Sequence, residues 1–274
     1  MKNNDRVLIL FLLLCLNVRG LSQVLRFNPD SQFSADQTAQ FTVITQKLHQ
    51  FIPHDPIIIT NDNNFSSQGF PGLGTIDDPY RIENFNITTS TGASIAIYDT
   101  DTYFCIRNNL LNGLFTASSG IEFNYVDHGI IDGNVVTNYF SYGILLEHSK
   151  NNILSNNMVF NNRNDGIRLR ISTAITISSN TVAHNDDGIF LYGSINNTIS
   201  NNTLFNNRDG ISLWEDSENS IISSNSVSNN NHHGISLRES GNSIISSNSV
   251  SNNNHHGIFL WDSENSIISS NSVS

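Results

Sequence analysis

Three files of side chains in this sequence could do chemistry. The first is acidic. Asp165, Asp187 and Asp209 each precede a glycine, with Asp186 and Arg208 beside them and Arg168 nearby. Carboxylates stacked about 5 Å apart repel, so one tends to keep its proton and can serve as a general acid. The spacing also approaches that of a retaining glycosidase pair. The same oxygens could hold Ca²⁺, although Asp before Gly is equally an ordinary turn residue. The second file is Glu147, Arg170, Tyr192, Trp214, Arg238 and Trp261, followed by Glu215, Asp216, Glu239 and Asp262. Aromatic rings cover the apolar faces of sugars while charged neighbours bind their hydroxyls. Tyr192, Trp214, Glu215, Arg238, Glu239, Trp261 and Asp262 are therefore candidate ligand-binding residues, and a plain solvated strand face is the alternative. The third feature is His232-His233 and His255-His256, whose imidazoles could hold Cu²⁺ or Zn²⁺. Against a metal, segment 217–235 recurs at 240–258 with one change, Glu218 to Gly241, so the second pair is a copy. Neighbouring residues in a turn are also expected to point apart.

These files exist only if the chain stacks in register. Gly-Ile-x-Leu/Phe occurs at Gly120, Gly143, Gly166, Gly188, Gly210, Gly234 and Gly257, with spacings of 23, 23, 22, 22, 24 and 23. A period of this size marks a solenoid in which each coil buries its apolar face on its neighbours. After each motif comes a serine (Ser149, Ser172, Ser194, Ser217, Ser240, Ser263). Two residues on lies Asn151, Ala174, Asn196, Asn219, Asn242 or Asn265. An apolar file follows: Ile153, Ile175, Ile199 (shifted by one), Ile221, Ile244, Ile267. One asparagine file is Asn134, Asn157, Asn180, Asn202, Asn225, Asn248 and Asn271; a second is Asn162, Asn185, Asn207, Asn230 and Asn253. Between them sits a file of Val136, Val159, Val182, Leu204, Val227, Val250 and Val273. Three short β-branched stretches per repeat, separated by Asn/Ser/Gly turns, leave no room for a helix and fit a three-sided parallel coil. Amides stacked at the strand spacing of about 4.8 Å can bond along the stack, and asparagine tolerates the left-handed conformation of tight corners.

The ends differ. Lys2 and Arg6 precede an apolar run from Val7 to Leu16, too short to span a bilayer and suited to a signal segment over 1–22. Residues 23–56 read as a cap: Ser34 and Gln37 form a capping box, and Phe41, Ile44, Leu48 and Phe51 mark one helix face before Pro53. Such a helix would cover the open edge of the first coil. The repeat domain, 57–274, stops at Ser274 inside a coil without a polar cap, which suggests either a truncated sequence or a damaged reading frame, with more coils, a cap, an anchor or a stop as the continuation. No segment after the signal could span a membrane. With the signal removed, Cys105 is the one cysteine, expected as a buried thiol without a disulfide. Sequons begin at Asn64, Asn86, Asn196 and Asn201. Net charge is −11, from 13 Lys+Arg against 24 Asp+Glu, with no basic-aromatic patch, which argues against nucleic acid as a partner.

The pattern Gly-Ile-x-Leu-x-x-Ser-x-Asn-x-Ile-x-x-Asn-x-Val-x-Asn-Asn resembles the right-handed parallel β-helix repeat of NosD-like proteins and of the carbohydrate-binding and sugar-hydrolase group in the pectin-lyase-like superfamily. Gly74–Ile87 resembles the segment that opens such arrays in archaeal surface proteins. The resemblance covers about Ile57 to Ser274 and implies an all-β, right-handed, three-sided solenoid. That group contains lyases, hydrolases, epimerases, adhesins and proteins linked to copper-site maturation, so the fold alone does not select an activity. No loop breaks the 22–24-residue step to wall a cleft. The expectation is an exported, non-catalytic protein of a periplasmic-type space or cell surface. It would need no cofactor and bind polysaccharide or a cell-surface component along one repeat face. A polysaccharide lyase or glycosidase using the acidic file, and a NosD-like copper-handling protein using the histidines, are the alternatives.

Overall fold

The structure is a computed structural model that describes residues 51–274. The signal segment and the helix expected from Ser34 lie outside the described residues. Residues Pro53–Ser274 form one compact unit. Its one helix among the described residues, Asn63–Ser67, is a single turn that buries Phe65 in the opening coil.

Each coil contributes one strand to each of three parallel sheets. Sheet 1 runs from Ile57–Ile59 to Ile258–Trp261, sheet 2 from Tyr80–Glu83 to Ile267–Ser269, and sheet 3 from Ile52–Pro53 to Ser272–Val273. Ladder partners are one repeat apart throughout, for example Ile189 on Ile211, Ile199 on Ile222 and Leu204 on Val227. The sequence periodicity is thus the coil length, and the expected three-sided parallel solenoid is the observed fold.

Inward files of aliphatic residues from the three sheets fill the tube: Ile167, Ile189 and Ile211 with Leu169, Leu191 and Leu213 from sheet 1; Ile177, Ile199 and Ile222 from sheet 2; and Val182, Leu204 and Val227 from sheet 3. One expected file is split by the structure. Ile153 pairs with Thr176, and Thr198 with Ile221 and then Ile244. These residues sit on the outer face, where Ile153, Ile221 and Ile244 are exposed. The residue after each one, Leu154, Ile177, Ile199, Ile222 and Ile245, enters the core. Adjacent Ile-Ile or Ile-Leu leaves the strand phase undetermined in sequence, and a slip of one residue exchanges the two faces.

The motif glycine has a steric reason. A Cβ at Gly188 would lie 2.6 Å from the Gly210 carbonyl oxygen and 2.8 Å from Leu204 Cδ2, because sheet 1 begins where the corner presses on sheet 3.

Polar ladders close the corners. Asn157, Asn180, Asn202, Asn225 and Asn248 are buried, and each side-chain oxygen accepts both the backbone N–H and the side-chain N–H of the asparagine one coil earlier. In a second file Asn185, Asn207 and Asn230 do the same, and Asn162 at its start accepts from the Tyr139 backbone N–H. The serines after the motif form a third ladder, in which Ser149 N–H donates to Ser172 Oγ, Ser172 to Ser194 and Ser194 to Ser217. A fourth ladder runs through Asn197, Ser220 and Ser243, a file whose mixed Asn and Ser composition hides it in the sequence.

The expectation that ladder asparagines also take the left-handed turns needs correction. The positive φ belongs to the residue just before each ladder member: Asn156, Ser179, Asn201, Ser224 and Ser247 before the first file, and Asn161, His184, Asn206 and Asn229 before the second. Asn151, Ala174, Asn196, Asn219, Asn242 and Asn265 take it at a third corner. In each Asn-Asn pair one residue bends the chain and the next satisfies the buried amide.

Asn202→Ala should lower unfolding free energy by at least about 2 kcal/mol, because it leaves the buried Asn180 N–H and the Ile177 carbonyl without their side-chain partner. Asn201→Gly, one residue earlier at φ 58°, should be close to neutral. Urea unfolding of the two variants tests the division of labour; equal losses would refute it.

Candidate functional site on the outer face of sheet 1

The three files picked out in sequence meet on one surface. Sheet 1 stacks Glu147 on Arg170, Arg170 on Tyr192, Tyr192 on Trp214, Trp214 on Arg238 and Arg238 on Trp261. Side chains two residues apart on a strand share a face. Beside this file therefore runs the x position of Gly-Ile-x-Leu, with Arg168, Phe190, Ser212, Ser236 and Phe259. Arg168 lies over the rings of Tyr142 (5.2 Å) and Phe190 (4.5 Å). Phe190 meets Trp214 edge-on at 5.4 Å, and Arg238 lies 4.8 Å above Trp214 and 5.7 Å from Phe259. Trp261 is 55% exposed. Tyr192 donates its hydroxyl hydrogen to Glu215, and Arg170 pairs with Glu147 at 3.0 Å. Glu215, Glu239 and Asp262 sit at the next corner with positive φ, so these three acids carry the turn beside the file. Phe190, Phe259 and Tyr142 were not among the sequence candidates; the period-2 rule applied to the motif's x position would have found Phe190 and Phe259, whereas Tyr142 stands just before the motif glycine Gly143.

The acidic file lies along the other margin of this face. Asp165, Asp187 and Asp209 are 4%, 0% and 4% exposed, and Asp187 and Asp209 begin strands. They are not solvated turn residues. Arg208 holds three carboxylates: Asp187 at 2.9 Å, Asp186 at 3.3 Å and Asp209 at 3.3 Å. Arg168 holds Asp165 at 2.8 Å and so ties this file to Phe190. Asp187 Oδ2 is enclosed without a hydrogen-bond partner. Burial, reinforced by the Asp165 charge and opposed by Arg208, pushes Asp187 up to about 7. Burial also raises Asp165, against the pull of Arg168. Near neutral pH Asp187 therefore retains its proton in a substantial fraction of molecules.

The histidines extend the acidic file. Asp209 Oδ1 accepts from the His233 backbone N–H at 2.7 Å and lies 2.8 Å from His232 Nδ1. The expectation that neighbouring imidazoles point apart fails: His232 and His233 ring centres are 3.8 Å apart, and His255 is 4.9 Å from each. His233 is buried and stacks on Phe259 at 4.7 Å, which joins the histidines to the aromatic strip. Burial and the adjacent imidazoles push His233 down to about 4, so it is neutral at ordinary pH. His256 also stacks near Phe259, at 5.4 Å. Far from this face, Cys105 is buried in sheet 2 with its thiol pushed up to about 11, the inert thiol expected.

Against this geometry, the profile of the family described as periplasmic copper-binding protein (NosD) matches residues 48–208 and 172–274. The chain belongs to the NosD family. Imidazole nitrogen suits copper, and His232, His233 and His255 each offer a ring nitrogen within 4.8 Å of the others, so this NosD chain carries donors that fit that ion. The carboxylates of Asp165, Asp186 and Asp187 also converge within 4.8 Å, but the Arg168 and Arg208 guanidinium groups already lie against them. Comparison with curated proteins gives no match. Solved structures with the same fold include the periplasmic alginate epimerase AlgG, at 18% identity and TM-score 0.62, covering 74% of this chain and 57% of AlgG. The A-module of the Azotobacter vinelandii mannuronan C-5 epimerase AlgE4 aligns at 15% identity and TM-score 0.62, over 85% of this chain and 72% of that one. Tailspike protein 2 of bacteriophage CBA120 aligns at 14% identity and TM-score 0.61, over 93% and 42%. This NosD chain therefore spans a little over half the length of AlgG.

Asp187 gives a testable pH signature. Its folded-state pKa lies above the ordinary carboxyl value, so the folded protein binds the extra proton between about pH 4 and 7. Stability should fall as pH rises through that window. Asp187→Asn, which mimics the protonated form, should flatten this part of the melting-temperature profile and melt higher than wild type at pH 8. Calorimetry from pH 5 to 8 checks this, and an unchanged slope would refute it.

Proposed function

We propose that this is an exported NosD-family solenoid that binds an extended polysaccharide along the outer face of sheet 1. The observation that carries the reading is the unbroken line of rings and guanidinium groups Tyr142, Arg168, Phe190, Trp214, Arg238 and Phe259, with Trp261 open to solvent beside it. Rings laid at rung spacing offer successive platforms to successive sugars, and the guanidinium groups suit carboxylate-bearing units. No insertion interrupts the coils from Gly120 to Gly257, so a long polymer can lie along the axis. The names of the similar structures, two of them epimerases of alginate or mannuronan, agree with an extracytoplasmic polysaccharide partner. No helix among the described residues is long and apolar enough to cross a membrane.

The burial of the carboxylates favours binding over cleavage. A general acid must come within hydrogen-bond reach of the substrate oxygen, and Asp165, Asp187 and Asp209 are enclosed behind Arg168 and Arg208. Incubation with acidic polysaccharides should release neither new reducing ends nor unsaturated uronates; either product would overturn the non-catalytic reading.

Both tryptophans of the chain lie in this file. Titration with polyuronate oligosaccharides should change the intrinsic tryptophan fluorescence. Trp214→Ala and Trp261→Ala should each weaken binding roughly tenfold, the loss of about 1.4 kcal/mol of stacking. A polysaccharide panel that binds wild type and both variants alike would remove sheet 1 as the binding face.

A further inference from the structure

We propose that His232, His233 and His255 form a binding site for a borderline transition-metal dication, Cu²⁺ or Zn²⁺, in which Asp209 orients the first imidazole. The family description names copper without placing it, and the site is independent of the polysaccharide reading. It follows from what the coil geometry does to a duplicated His-His pair. In a parallel solenoid, residues one repeat apart are ladder neighbours at about 4.8 Å. The copy therefore sets His255 directly over His232, with ring centres 4.9 Å apart, and His256 over His233 at 5.2 Å. His233 lies 4.9 Å from His255 as well. The outcome is a trio with one ring nitrogen from each of His232, His233 and His255, all within 4.8 Å of one another. An ion shared by the three nitrogens at about 2.0–2.1 Å would require the imidazoles to turn towards one another within their corners.

Three further features point the same way. His232 turns its Nδ1 to Asp209 Oδ1 at 2.8 Å, which leaves Nε2 as the metal-binding atom. A carboxylate behind a ligating imidazole fixes its tautomer and raises its basicity. Asp209 is itself held by Arg208 at 3.3 Å and by the His233 backbone N–H, so the orienting group is rigid. The trio is graded from the enclosed His233, 2% exposed, through the half-buried His232 to the exposed His255, which gives an ion a path from solvent. Three imidazoles leave a coordination position for water or a ligand from outside. His256 belongs instead to the ring stack with Phe259 and His233.

The test uses the purified full chain and the aqueous ions themselves. Titration with CuCl₂ and, separately, ZnCl₂ in a competing chelating indicator should give one tight site, copper binding more strongly than zinc. Electron paramagnetic resonance of the Cu²⁺ form should show coupling to imidazole nitrogen. His255→Gln, at the exposed position, should weaken both ions at least tenfold with an unchanged circular dichroism spectrum. His148→Gln, on a distant coil, should leave both affinities as they were. Equal affinities in wild type and His255→Gln, or a copper spectrum without imidazole coupling, would overturn the site.

Discussion

The corners of this tube bury backbone N–H groups away from water, and along the ladders a side-chain oxygen from the next coil meets them. Asn180 N–H meets Asn202 Oδ1, Asn202 N–H meets Asn225 Oδ1, and Ser172 N–H meets Ser194 Oγ. A buried amide without a partner costs about 1–3 kcal/mol, and such a group recurs at several places in every coil. The ladder therefore fixes the coil length. A coil that gained or lost residues between ladder positions would misplace its oxygens along the stack, so the spacing stays at 22 to 24 residues. The aliphatic interior supplies the apolar burial, but the amide ladders supply the register.

A fixed register has a consequence for the surface. Whatever occupies one outward position is repeated, changed or opposed 4.8 Å away on the next rung. Like charges then repel, as Asp165 and Asp187 do, unless guanidinium groups are set between rungs. Rings become continuous strips, as from Phe190 through Trp214. A sequence duplication, which in a globular domain would scatter its copies, here delivers its histidines side by side. The fold converts linear repetition into local concentration of one chemistry.

That conversion also decides what could be read from sequence. The coil, its three sheets and the main amide files were legible because inward aliphatics and corner asparagines recur in phase. The files on the outer face of sheet 1 were legible for the same reason. Phase within a strand was not: Ile221-Ile222 gives no sign of which residue faces in, and the core takes Ile222. The division of an Asn-Asn pair into a bending and a bonding member was also invisible, because both tasks suit the same residue type. Side-chain direction at the corners escaped as well. Asp187 looked like a turn residue and is wholly enclosed, and His232 and His233 looked divergent and converge, with Asp209 Oδ1 beside the His232 ring and accepting from the His233 backbone N–H.

The acidic margin shows how the two halves of the surface depend on each other. Asp165, Asp186, Asp187 and Asp209 are opposed by two guanidinium groups, those of Arg168 and Arg208, so the row is short of positive charge when every carboxyl is ionised. Enclosed charge of one sign is expensive in a medium that screens poorly, and the structure relieves it by raising Asp187 until it retains a proton near neutrality. His232 adds a partner at the far end through Asp209. Arg168 does double duty, since the guanidinium that steadies Asp165 also lies on Phe190 and so sets the start of the aromatic strip. Removing that carboxylate would free Arg168 from its place over the ring. The enclosed acids are thus best understood as the anchorage of the exposed face: they hold the arginine that covers Phe190 and, through its backbone N–H, the histidine whose ring stacks on Phe259.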